Sequence, residues 1–573
     1  MRDVTEERTS TARTAGSASP GPESADRGRR YRRAALGAVS GLLAGCAALA
    51  VAELVAVAVR PESGPVLAVG GAVIDRTPAE LKDFAIRTFG ERDKLALQLG
   101  ILGLLVLFAS AVGLLSLRHR WAGVSGVSAF GVIGAAAAVE RPDAGIADAV
   151  PSAVGALAGA AVLALLTGRL AWGARPVLVR RPTARAADAG GDPREAEGTG
   201  EADGAATPSV SFDRRGFALA AGAVAAGSAG TALLGRRLNT VGTADAVASR
   251  KAVRLPSPAS KAPPVPRGAA LGIHGISPFV TSNSDFYRVD TALTVPRIDA
   301  SAWRLRLHGK GVARPLTLSF AELLERRLIE RDITLTCVSN QVGGPYTGNA
   351  RWLGVPLAEL LREAGVRPPS KGGPADQLVA RSEDGMTLGS PVETVMDGRD
   401  ALLAVGMNGE PLPFTHGFPV RMVVPGLYGY VSACKWLKDL ELAAYDDYDV
   451  YWVKRGWAKK APVKTQSRID TPKPLADLGT GTVQVAGVAW AQHTGVARVE
   501  VRVDDGPWHT ARLAEEDSRD TWRQWVWRWP ATAGSHTLQV RATDRTGGTQ
   551  TAERVGTVPD GATGRHSVVV NVK

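Results

Sequence analysis

Hydrophobic positions along this 573-residue chain follow two different rhythms. Before about residue 240 they form long runs of Ala, Leu, Val and Gly, at 34–59, 95–117, 121–139 and 150–172. Each run approaches or exceeds the ~20 residues a helix needs to cross a bilayer. A fifth, milder run rich in Ala and Gly covers 214–236. Two polar stretches, 1–33 and 173–213, cannot bury a core and predict a disordered tail and a flexible linker. From Ser277 the runs shorten. ALTVP (292–296) and WRLRLHG (303–309) alternate as strands do, and DITLTCV is a third strand. LSFAELLERRL (318–328) has helical spacing, with Ser319 placed to cap it, and NARWLGVPLAELLREAGV (349–366) predicts strand, turn and helix. Residues 483–573 consist of short alternating runs divided by turn signals, Asp504-Asp505-Gly506-Pro507 and Thr546-Gly547-Gly548.

The expected architecture is therefore multi-domain. An all-α transmembrane bundle of five helices (34–172 and 214–236) leads through a Pro-rich tether (237–276) to an α+β domain (277–465). An all-β immunoglobulin-like sandwich (466–573) follows, with its tryptophans in the core or at an interface. Net charge is +12 with pI near 9.8, and mean hydropathy is −0.01. Much of the arginine excess flanks the apolar runs: Arg27 to Arg33, Arg118 and Arg120, Arg175 to Arg185. All three clusters fall on one side if the first four helices span. The positive-inside rule makes that side cytoplasmic and puts everything after about 237 outside. The same distribution argues against a nucleic-acid partner.

Three cysteines, Cys46, Cys337 and Cys434, form no C-x-x-C pattern, which argues against a zinc ribbon, a thioredoxin pair, c-type haem and iron–sulfur clusters. Cys46 sits in an apolar run. A Cys337–Cys434 disulfide is a minor alternative. An isolated strand cysteine is usually packing, but Cys337 stands in ITLTCVSNQVGG. About 80 to 100 residues later comes NGEPLPFTHGFPVRMVVPGLYGYVSACKW, with His416, Arg421, Tyr428, Ser432 and Lys435. Arg421 lies in a strand-like run, where burial without an anionic partner is costly.

These motifs, with TSNSDFYRVD upstream and Ser382-Glu383-Asp384-Gly385 between, resemble the sulfite oxidase family over about 277–573. The resemblance implies a molybdenum centre with one molybdopterin per metal. Cys337 would be the metal ligand. Asn283, Tyr287, Arg288, Asn340, His416, Arg421, Ser432 and Lys435 would hold the pterin and its phosphate. Tyr428 and Arg288 would stand near the metal and substrate. It also implies that the C-terminal sandwich dimerises and that electrons pass to a separate cytochrome or quinone-linked carrier. The chain departs from the family in one respect. Animal and plant sulfite oxidases follow the cysteine with an arginine pair for the sulfite dianion, whereas Val-Ser-Asn-Gln-Val-Gly-Gly follows Cys337. Arg351 or Arg288 would have to substitute, and a sulfoxide-type reductase is the alternative activity. A cofactor-free membrane receptor is the alternative of another class.

SFDRRGFALAAGAVAAGSAG (211–230) resembles a twin-arginine export signal, which suits a domain that folds around its cofactor before crossing. Replacing Arg214 and Arg215 with lysines is expected to leave the catalytic body inside the cell. Protease accessibility in spheroplasts checks this, and unchanged export means an ordinary fifth helix.

Overall fold

The computed structural model describes residues 22–77, 93–141, 144–172, 214–292 and 294–573. The chain divides into two compact units, Met1–Arg237 and Leu238–Lys573. Among the described residues of the first, the α-helices are α1 (Pro22–Val59), α2 (Pro65–Arg76), α3 (Asp93–Ser116), α4 (Arg120–Val139) and α5 (Val150–Trp172). A sixth, α6 (Arg214–Ala252), begins here and runs on into the second unit. Five of the six, all but α2, are long and apolar enough to cross a membrane. Small residues bring α1 against its neighbours. A Cβ on Gly41 would collide with the backbone of Ala109 and Gly113 in α3, and one on Gly155 of α5 with Ala48 and Ala52 of α1. Small-residue contacts of this kind are the ones that hold helices together where lipid supplies no hydrophobic driving force. Leu99, Leu102, Leu104 and Leu107 of α3 point outward.

Three expectations need correction here. Helix α1 starts at Pro22, so the end of the expected disordered tail is helical, while 1–21 lie outside the described residues. Arginine and alanine are good helix formers and extend the apolar span backwards. Helix α2 has no counterpart in the sequence reading; it is only twelve residues long. The expected fifth helix does not stop at 236. It continues through TADAVASRKA to Ala252, where Arg250 donates to the carbonyls of Leu412 (2.8 Å) and Pro411 (2.7 Å). The expected linker 173–213 also lies outside the described residues.

Nor does the Pro-rich segment stand free. Ala259 N–H donates to Leu328 O at 2.8 Å, Glu330 N–H to Ser260 O at 2.9 Å, and Ala269 is fully buried. The segment is a strap laid along the start of a core strand.

The second unit holds four sheets. Strands β1 (Arg304–Gly309), β2 (Leu316–Ser319), β5 (Gln377–Ser382), β6 (Thr387–Pro391) and β10 (Leu437–Ala443) form one, in the order β2-β1-β10-β5-β6. Strands β3 (Ile329–Thr336), β4 (Thr347–Pro356), β7 (Leu402–Met407) and β8 (Glu410–Pro411) form another, with β9 (Arg421–Val423) paired to β7. One apolar core containing Trp352, Leu402 and Phe418 joins these two sheets. Ser319 caps the following helix in a capping box with Glu322, but that helix ends at Leu324 because β3 starts at Ile329. ALTVP carries no strand among its described residues. Just before it, Thr291 Oγ1 donates to Asp384 at 3.2 Å.

The C-terminal sheets are β11 (Gln466–Thr471), β13 (Gly481–Trp490), β16 (Arg512–Leu513) and β17 (Arg523–Ala531), against β12 (Asp477–Leu478), β14 (Val496–Val503), β15 (His509–Thr510), β18 (Gly534–Asp544) and β19 (His566–Val572). Val485 and Trp525 of one meet Val499, Leu538 and Val568 of the other in a shared core.

Candidate active site

Strand β3 ends at Thr336, so Cys337 is the first residue beyond its ladder. β4 binds β3 along one edge, from Ile329↔Gly354 to Thr336↔Thr347. The C-terminal module holds the same strand through one side chain, that of Gln492, and the backbone of Asp520 and Trp522. Gln492 Nε2 donates to Thr334 O and Thr336 Oγ1, both at 3.1 Å. Thr334 N–H donates to Asp520 O, and Trp522 N–H to Thr334 Oγ1. The loop after Cys337 is clamped from the same side. Arg468 Nη1 donates to Gly344 O at 2.7 Å, and the His566 ring lies where a Cβ on Gly343 (φ +78°) would project. Only glycine fits at Gly343, for both reasons.

A cavity of about 100 Å³ opens beside Cys337. Tyr287, His416, Arg421 and Lys435 line it, so five of the expected site residues converge. The other five do not line it. Asn283 is spent on backbone and on Asn408: its Nδ2 donates to Met407 O, and its Oδ1 accepts from Asn408 at 2.9 Å. Asn340 Oδ1 accepts from Tyr346 N–H at 2.8 Å and ties off the loop that follows Cys337. Ser432 Oγ donates to the carbonyls of Leu427 and Tyr428. Tyr428 is buried with its hydroxyl against Gly561 of the C-terminal module, and burial pushes its pKa up to about 12. Arg288 is held through Asp290, with Nε donating to Oδ2 at 2.9 Å. Arg351 pairs with Asp332 at 2.6 Å and cannot replace the missing arginine pair. Cys337 and Cys434 are free thiols.

Two cations, Arg421 and Lys435, and two carboxylates, Asp290 and Asp384, line the cavity, and the charges are unevenly matched. Arg421 is 5% exposed, with Nη1 donating to His416 O and its guanidinium 5.0 Å from the Trp352 ring centroid. No carboxylate pairs with it among the described residues, and its Nε has no hydrogen-bond partner. Burial holds its pKa down to about 10, so it stays charged at neutral pH. Burial also lowers Lys435 to about 8, against the pull of Asp290, whose carboxylate its Nζ meets at 2.8 Å. His416 falls to about 4 through burial and then Arg421, and its Nε2 meets Asn283 O at 2.9 Å. A neutral imidazole donating from Nε2 fits that contact. Burial raises the Cys337 thiol, and Ser339 and Lys435 partly offset the rise.

The donor set fits a molybdopterin. A soft sulfur ligand lies at one end, and a buried guanidinium with an unsatisfied donor, an ammonium and an imidazole lie in the same cavity. An anionic group meets the orphaned Nε at no further desolvation cost to the arginine. Sequence reasoning missed Asp290, which neutralises Lys435, and the aromatic residues Tyr430, Trp452 and Trp457 on the cavity wall. It also missed Gln492 and His566, and it placed Trp522 in the core or at an interface without its contact to β3. Isolated side chains in a distant module carry no local signal. Asp290, two residues beyond Arg288, and Tyr430, two beyond Tyr428, lie in the site motifs and had such a signal.

Residues 292–452 match the family model described as an oxidoreductase molybdopterin binding domain. Chicken (Gallus gallus) sulfite oxidase is 32% identical over 290 residues, covering 44% of this chain and 62% of that protein. Human mitochondrial sulfite oxidase is 30% identical over 303 residues, covering 46% of this chain and 55% of that protein. The chain thus spans less than two thirds of the length of these relatives. Among solved structures, the sulfane dehydrogenase SoxCD from Paracoccus pantotrophus is 24% identical with a TM-score of 0.45, covering 52% of this chain and 85% of that one.

His416 and His566 both titrate at about 4, below the ordinary value of 6.5. Burial lowers His566, then Arg468. Below about pH 6.5 the unfolded chain takes up protons that the folded chain refuses. Stability is therefore complete above that pH and falls by about 3 kcal/mol per group as pH drops towards 4. Urea midpoints between pH 7 and 4 should show this loss, and His566→Gln should remove about half of it.

Proposed function

Because the chain carries a sulfite-oxidase-type molybdopterin oxidoreductase domain, we propose that the whole protein is a membrane-anchored enzyme. It transfers an oxygen atom to or from a small sulfur-containing substrate on the extracytoplasmic side. One observation carries the reading: Cys337 and the partly unsatisfied Arg421 open onto one cavity. In this reading Cys337 ligates molybdenum, and His416, Arg421 and Lys435 hold the pterin and its phosphate. Tyr287 closes the floor, and Arg288 acts from outside by holding Asp290. Asn340 and Ser432 fix the backbone around the cofactor, and Asn283 fixes His416. Tyr428 positions the C-terminal module against the site.

When bound, the cofactor supplies a two-electron redox centre. The protein's own contribution is to exclude water, hold cationic charge in place and present the cysteine as a ligand. Oxidation consumes one water and releases two protons and two electrons. We assign the electrons to a separate cytochrome or quinone-linked carrier. Five apolar helices support membrane attachment. Arginines beside them support a cytoplasmic N-terminus, and Arg214-Arg215 supports twin-arginine export of the body. The C-terminal module is read as immunoglobulin-like and as the dimerisation domain. Lack of an arginine pair after Cys337 favours a second direction, sulfoxide reduction on the same scaffold. The cofactor-free receptor is set aside by the match over 292–452.

Replacing Cys337 with serine should leave the melting profile nearly unchanged and abolish molybdenum-dependent turnover. Metal analysis and a reduced-dye assay check this, in a host that makes the cofactor. Full activity in Cys337→Ser would remove the ligand assignment.

A further inference from the structure

The cavity wall beside Cys337 is aromatic. Tyr430, Trp452 and Trp457 line the same cavity as the cysteine, and all three are only partly buried. Their rings form one connected surface. Tyr430 and Trp457 have centroids 5.5 Å apart, and Trp457 and Trp452 6.2 Å apart in an edge-to-face arrangement. Tyr430 donates its hydroxyl to Ala458 O at 2.7 Å, so that ring is held in place by a bond to its own neighbourhood. Met386 adds a further apolar side chain to the lining.

The cations near this wall are already engaged. Arg421 and Lys435 are the cations among the lining residues, and both are taken up by the proposed cofactor role. Arg455 sits between the two tryptophans in sequence, but its guanidinium lies 3.5 Å from the Tyr451 ring and donates to Tyr451 O at 2.9 Å. Arg288 is engaged by Asp290, and Arg351 by Asp332. A small dianion leaving water needs charge-assisted donors, and an aromatic surface offers it none. A neutral sulfur compound with an apolar substituent finds favourable contacts there, through area burial and sulfur–aromatic attraction.

We infer that Tyr430, Trp452 and Trp457 select a neutral thioether/sulfoxide couple with an apolar substituent and disfavour inorganic sulfite. This rests on the function proposed above and names its substrate class. In the oxidising direction the thioether sulfur gains one bond to oxygen. Water gives up that oxygen and two protons, and the two electrons go to the separate carrier. The reducing direction is the same equation reversed.

Isothermal titration of the full chain in detergent, with methyl phenyl sulfoxide and separately with sulfite, tests the inference. The sulfoxide is expected to bind at least about tenfold more tightly than sulfite. Trp457→Ala should weaken the sulfoxide by about tenfold and leave sulfite unchanged, while Trp457→Phe keeps most of the affinity. Trp452→Ala is the second variant should Trp457→Ala not fold. Sulfite binding as tightly as the sulfoxide, equal loss of both in the variants, or no binding of either would overturn the inference. Molybdenum content of the same preparation reports on the proposed function alone, because the titration needs no turnover.

Discussion

The site depends on how one strand end is held. β3 delivers Cys337, and a strand end on its own frays. Here β4 pairs with it through Thr336↔Thr347, and Gln492, Asp520 and Trp522 of the C-terminal module hold Thr334 and Thr336. His566 and Arg468 then pin the glycine pair beyond the cysteine. The module is therefore part of the site's support, whatever its part in dimerisation. A cysteine ligand must be placed within a few tenths of an ångström to be useful, and such precision comes from surrounding partners.

Charge is the second constraint. Two cations, Arg421 and Lys435, line one cavity with two carboxylates, Asp290 and Asp384. Asp290, whose side chain is 3% exposed, serves both Lys435 and Arg288. Arg421 has only a carbonyl and an indole face. Buried charge so poorly matched costs several kcal/mol unless a ligand supplies the missing anion. The Trp352 face offsets part of that cost through cation–π attraction, of order 1–2 kcal/mol when desolvated. The cavity is thus prepared for an anionic group. Tyr430, Trp452 and Trp457 add neutral aromatic surface to the same lining.

Much of this was legible from local pattern. Helical runs were visible because membrane spans need continuous apolarity, β1 because alternation survives in a short strand, and β3 because its run is rich in β-formers. The convergence of Cys337, His416, Arg421 and Lys435 was reachable only because their motifs come as an ordered set. Asn283, Asn340 and Ser432 lie in the same motifs but serve the backbone. Sequence places a polar residue near a site without saying whether its side chain faces inward. The docked strap at Ala259–Ala269 was unreadable for a related reason. Its prolines predict an extended chain correctly but say nothing of what that chain lies against. Gln492, Trp522 and His566 act across more than 150 residues of sequence, where no periodicity reports contact.

The most direct test of this account is the molybdenum content of Gly343→Ala. Its Cβ would meet the His566 ring and force the loop beside Cys337 to move. The account predicts a folded chain by circular dichroism that retains less than about a tenth of the wild-type metal after dialysis, as loss of a supporting contact does at other metal sites. Adding His566→Gly should restore most of it. Wild-type metal content in Gly343→Ala alone would contradict the claim that the C-terminal module holds the cysteine in place.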